Sequence, residues 1–211
     1  MLPDIVAWSM EPSRLDTAFI FAHRLHASQR RKGAGAPYIA HLMSVCALVI
    51  EHGGSQDQAI AALLHDSIED QGDGYPGGRA GLREEIRQQF GEHVLSIVND
   101  CTDDDDFEKG TAADAAAETE QWRRRKQQYV DHLVKINGPA LLVSCADKLH
   151  NARTILADYR EMGPALWTRF RAANRENQLW YYSTLARIFR EKRVGRLAEE
   201  LARVVAEIEA A

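Results

Sequence analysis

The sequence predicts an all-α fold of roughly eight or more helices. Three observations carry that expectation. Apolar residues recur at helical spacing along most of the chain. No stretch alternates apolar with polar residues as a half-buried strand would. Helix punctuation separates the periodic segments, with capping boxes and prolines at starts and glycines at ends.

Taken in order, Ser13-Arg14-Leu15-Asp16 is a capping box that opens a helix reaching about residue 29. Arg30-Arg31-Lys32-Gly33 begins a basic, Gly-bearing loop that ends at Pro37. Pro37 starts a second helix with His41, Val45, Leu48 and Val49 on one face, stopped by Gly53-Gly54. Ser55-Gln56-Asp57-Gln58 is another capping box, leading into a helix that runs through an acidic cluster at 65–70. Residues 71–78 are Gly-rich and turn-forming, and 79–90 and 92–100 read as two helices parted by Gly91. Residues 102–119, with Asp103 to Asp106, have little to bury and read as an acidic surface loop. A basic amphipathic helix follows over 122–136, stopped by Asn137-Gly138-Pro139. Three more helices are predicted over 139–158, 164–190 and 191–211.

Composition narrows the class. The 211 residues are 45% hydrophobic and 27% charged, an ordinary globular balance. A formal net charge of −5 argues against a general nucleic-acid binder. No apolar run approaches the roughly 18 residues that would cross a bilayer, and residues 1–10 lack the basic-then-apolar order of a signal peptide. Cys46, Cys101 and Cys145 lie in apolar contexts without a Cys-x-x-Cys pair, as expected of buried reduced thiols in a cytoplasm.

The chemistry concentrates in His65-Asp66-Ser67-Ile68-Glu69-Asp70. On a continuous helix His65 would lie beneath Glu69 and Asp66 beneath Asp70, all four in one sector. Three carboxylates beside an imidazole repel one another unless a cation sits among them. A second segment ends in Pro37-Tyr38-Ile39-Ala40-His41, and a third is Ala146-Asp147-Lys148-Leu149-His150-Asn151-Ala152-Arg153-Thr154. There Asp147, Asn151 and Thr154 share a helix face, a polar stripe that is costly to bury without partners. The acidic cluster is its natural partner.

With these three segments in order, the chain resembles the HD-domain hydrolases of the RelA/SpoT type, which remove pyrophosphate from the 3′ position of the alarmone (p)ppGpp. The likeness covers about residues 15–190 and is strongest to the small single-domain alarmone hydrolases. It implies an HD-domain helical bundle forming one phosphohydrolase domain over residues 1–211. By position, it implies that His41, His65, Asp66 and Asp147 hold a divalent metal, Mn²⁺ in the family. Glu69 and Asp70 would handle the attacking water and the proton. Arg31, Lys32, Lys148, Asn151, Thr154 and Tyr182 would contact the nucleotide, Arg31 by stacking on the guanine and Lys32 by its charge on phosphate. The implied partner is a small guanine nucleotide, with no nucleic acid and no membrane, and a homo-oligomer stays open. Three features depart from the family pattern: the loop from Arg31 to His41 carries Gly33-Ala34-Gly35 in place of a more polar stretch, the Gly-rich 71–78 turn is long, and the segment after Thr102 is acidic where many members carry a phosphate-binding lysine. Lys109 or the Arg123–Lys126 run would supply that charge. Alternative readings are the same centre acting on another nucleotide, such as the 2′-phosphate of NADPH, or a non-catalytic module that senses a nucleotide. Singly, each feature has a plainer reading: His41 as a satisfied core histidine, Asp147 as a salt-bridge partner of Lys148 or Arg153, Arg31 and Lys32 as a solvated turn.

Overall fold

The computed structural model describes residues 13–31, 33, 35–102, 114–170 and 174–211. Lys32, Asp103 to Asp106 and Lys109 lie outside the described residues. Helix α1 (Arg14–Leu25) opens on the expected capping box: Ser13 accepts the Asp16 N–H and Asp16 accepts the Ser13 N–H. It stops at Leu25, short of residue 29. The following chain doubles back, with Arg30 and Pro37 forming an isolated antiparallel bridge and Arg31 N–H donating to the Ala36 carbonyl at 2.8 Å. This turn delivers the chain into α2 (Ile39–Glu51).

Helix α3 (Gln56–Leu64) starts at the Ser55/Gln58 capping box and is the centre of the molecule, with every residue from Ala59 to Leu64 buried. It packs against α1, α2, α6 and α8. The sequence predicts one helix through the acidic cluster, but the structure breaks it after Leu64 and resumes as α4 (Ser67–Gln71). The reason is local. The carbonyl of Ala62, which a continuous helix offers to the Asp66 N–H, accepts a hydrogen bond from His65 Nδ1 at 2.8 Å. Asp66 becomes the residue before α4, with φ −95° and ψ −1°.

Helices α5 (Gly78–Phe90) and α6 (Glu92–Cys101) are parted by Gly91, whose φ of 90° favours glycine. Helix α7 (Ala115–Lys135) starts earlier than residue 122 because the Asp114 side chain caps it, accepting the Ala117 N–H. Helix α8 (Ala140–Met162) is a buried spine touching α2, α3, α6, α9 and α10. The helix expected over 164–190 is divided: a 3-10 turn (Gly163–Arg169) precedes α9 (Arg175–Glu191), which Asn174 caps. Helix α10 (Arg196–Ala210) buries Leu197, Leu201, Val204, Val205 and Ile208 along one stripe against α8 and α9. All three cysteines are free and buried. Burial pushes the Cys46 and Cys101 thiols up to about 11. Among the described residues no helix is long and apolar enough to cross a membrane.

Candidate metal centre

Three segments bring the site together. His41 comes from the first turn of α2, His65 and Asp66 from the break between α3 and α4, and Asp147 from the middle of α8. His41, His65 and Asp147 are 1%, 3% and 5% exposed, so these polar groups are interior. His41 Nε2 is 3.2 Å from Asp147 Oδ1 and 3.6 Å from Asp66 Oδ2. His65 Nε2 is 3.0 Å from Asp66 Oδ2 and 3.6 Å from Asp147 Oδ1. Ligand atoms of His41, His65 and Asp66 all lie within 4.8 Å of one another.

Hydrogen bonding outside the cluster decides which ring nitrogens face inward. The Ala62 carbonyl only accepts, so His65 Nδ1 carries the proton and neutral His65 turns a lone pair inward at Nε2. That atom is buried without a hydrogen-bond partner and points at carboxylate oxygens. His41 Nδ1 meets His150 Nδ1 at 2.8 Å, which leaves His41 Nε2 for the cluster. Two inward-facing imidazole nitrogens and two carboxylates suit a borderline divalent cation. The electrostatics agree. Burial alone would raise the Asp66 carboxyl, but the neighbouring imidazoles hold it well below the usual carboxylate range. Burial would likewise raise Asp147, yet Lys148 and the two histidines keep it low. Burial would lower His65, yet the adjoining carboxylates raise it well above its ordinary value. The cluster therefore demands positive charge, from a proton on His65 or from a metal ion in its place.

Beside the cluster lies a cavity of about 340 Å³ lined by Arg31, Tyr38, Asp70, Asn151, Thr154 and Tyr182, among others. Asn151 Nδ2 donates to Asp147 Oδ1 at 2.6 Å, and Arg31 donates twice to Asn151 Oδ1 at 3.1 Å. One hydrogen-bonded chain thus runs from the cavity wall to the cluster. Asp70 stands one turn beyond Asp66, its N–H on the Asp66 carbonyl at 2.9 Å. Asp66 faces the imidazoles while Asp70 lines the cavity. Glu69 is half-buried on the same short helix. Lys148 does not line the cavity: its Nζ donates to Asp147 Oδ2 at 2.7 Å and sits 4.7 Å over the Tyr129 ring.

Two residues escaped the sequence reading. Tyr38, within the Pro37–His41 motif, donates its hydroxyl to Asp66 Oδ2 at 2.5 Å. His150, given no role, is the partner of His41; its neighbour position to Asp147 was the available signal.

A helical scaffold that gathers two histidines and two aspartates, an adjacent His-Asp pair among them, beside one cavity defines the HD-domain hydrolases. The HD domain family model matches residues 18–179, and the chain belongs to that family. Over 154 residues it is 34% identical to the guanosine-3′,5′-bis(diphosphate) 3′-pyrophosphohydrolase MESH1 of Xenopus tropicalis, covering 72% of each chain. It is 35% identical over 138 residues to a probable guanosine-3′,5′-bis(diphosphate) 3′-pyrophosphohydrolase of Synechocystis sp., covering 65% of this chain and 16% of that one. The fold is shared with the solved structure of a metazoan ortholog of SpoT that hydrolyzes ppGpp, at a TM-score of 0.69 and 24% identity over 93% of this chain and 96% of the other.

Proposed function

We propose that this protein hydrolyses (p)ppGpp at the 3′-pyrophosphate, giving GDP or GTP and pyrophosphate. The observation that carries the proposal is the meeting of a buried two-histidine, two-aspartate cluster with a cavity bearing Arg31, Asn151, Thr154 and Tyr182. Relatives at 34% identity named for this activity support it. His41, His65, Asp66 and Asp147 would hold the metal, for which we propose Mn²⁺. When bound, such an ion supplies Lewis acidity toward a phosphoryl oxygen and makes water acidic enough to attack near neutral pH. Glu69 orients the attacking water. Asp70 takes its proton and passes one to the ribose 3′-oxygen as that oxygen's bond to phosphorus breaks. Arg31 stacks on the guanine, and Asn151 and Thr154 read the base and ribose. The substrate is a small guanine nucleotide met in the cytoplasm.

The test is purified protein with Mn²⁺ and ppGpp, following pyrophosphate release. Turnover is expected, and the Glu69→Ala, Asp70→Ala double variant should lose at least about a hundredfold in kcat. Full activity in that variant overturns the roles given to the two carboxylates. A substrate panel in which ppGpp ranks below a 2′-phosphorylated dinucleotide overturns the substrate.

A further inference from the structure

Beside the cavity, and separate from the metal cluster, lies a second polar network whose direction one carboxylate sets. Gln29 Nε2 donates to Asp70 Oδ2 at 2.8 Å. Ionised Asp70 only accepts, so the amide nitrogen of Gln29 must face it and the amide oxygen must face away. That oxygen is 2.6 Å from His26 Nδ1 and 2.6 Å from Gln71 Nε2, and it accepts from both. His26 therefore carries its proton on Nδ1, leaving bare Nε2 to accept from the Ser67 hydroxyl at 3.4 Å. Ser67 and His26 are fully or almost fully buried, where polar groups are held in one arrangement by the cost of losing a partner. The His26 ring also stacks on Tyr38, whose hydroxyl holds Asp66.

We infer that Gln29 is a positioning residue for Asp70: the network of buried His26 and Ser67 with half-buried Gln71 fixes its amide, and the amide fixes the Asp70 carboxylate toward the cavity. The inference rests on the role proposed for Asp70 above. Asp70 is otherwise an exposed side chain on a five-residue helix. Gln29 selects its rotamer. It also ties Asp70 to the chain that carries Arg31, because the Gln29 carbonyl accepts the Tyr38 N–H at 3.1 Å across the base of the 30–37 turn. The carboxylate and the nucleotide-binding loop are thereby set in one frame.

The experiment is a double-mutant cycle between Gln29→Leu and Asp70→Asn on the Mn²⁺-loaded protein, with ppGpp as substrate. Gln29→Leu removes the donor at similar size. Gln29→Glu keeps the shape and turns an acceptor toward Asp70. Both should lower kcat by about tenfold or more, with KM and Mn²⁺ affinity within about twofold of wild type. In the Asp70→Asn background Gln29→Leu should cost nothing further. In the metal-free protein, where no paramagnetic ion broadens the signals, the ¹³C carboxylate resonance of Asp70 should move in Gln29→Leu while those of Asp66 and Asp147 stay in place. Additive losses in the cycle, a KM increase at constant kcat, or an unmoved Asp70 resonance each overturn the inference. A moved resonance with unchanged turnover in Asp70→Asn instead overturns the catalytic role given to Asp70. If Gln29→Leu does not fold, Gln29→Glu carries the same comparison.

Discussion

His41 and His150 meet nitrogen to nitrogen at 2.8 Å, and only one of the two can bring a proton to that contact. Burial, then the charges of His41 and Arg31, pushes His150 down to about 4, so it is neutral at physiological pH. A metal ion held at Nε2 of His41 would leave that ring's proton on Nδ1, from where it would donate to a bare His150 Nδ1. His150→Phe should therefore weaken Mn²⁺ binding by about 10–100-fold, measured by titration calorimetry, because an outer partner that sets a ligand's tautomer has gone. An unchanged affinity would show that His41 is oriented by packing alone. The His65 counterpart is a backbone carbonyl, that of Ala62, which no substitution removes.

At the scale of the element, the break between α3 and α4 is the decisive feature. A straight helix would send the side chains of neighbouring His65 and Asp66 about 100° apart around its axis. The break lets both reach His41 and Asp147. The N-terminus of α3 is fixed more simply. Ser55→Ala removes a side-chain cap and should cost about 1 kcal/mol in urea unfolding, with kcat unchanged. Asp57, in the first turn of α3, ties that helix to α6 through His93 and to α1 through Arg14, each at 2.8 Å. The His93 bond, then Arg14, hold its carboxyl below the ordinary value of 3.8. A lowered carboxylate adds stability that is present above the unfolded value and is lost as pH falls through the folded one. Wild type should therefore exceed Asp57→Asn in stability at pH 6, and the difference should shrink to nothing as the pH drops below the usual carboxylate range. A gap that persists at low pH would assign the effect to packing.

For the molecule as a whole, the proposed metal site would couple function to folding, since the residues that would hold the ion come from α2, the α3–α4 break and α8. An ion bound only by the native state at a hundredfold excess over its Kd stabilises by about 2.7 kcal/mol. In a chain of this size that raises Tm by about 5–10 °C, and EDTA should reverse it in a thermal scan. A Tm indifferent to chelator would mean that no ion bridges these helices. Much of this design is legible along the chain. Helix starts at Ser13 and Ser55 and the stop at Gly91 follow from local capping and backbone preference, which depend on a few neighbouring residues. The three motif segments likewise declare a site, because His, Asp and Glu at those spacings are costly without a shared cation. The amino-acid sequence by itself thus determined the helical class and the residue types that meet. Tertiary structure alone decided that Asp66 turns inward and Asp70 outward, that Lys148 serves Asp147, and that Gln29 and His150 hold their partners. Those outcomes depend on contacts between residues as far apart as His41 and His150, whose distance in space no local pattern encodes.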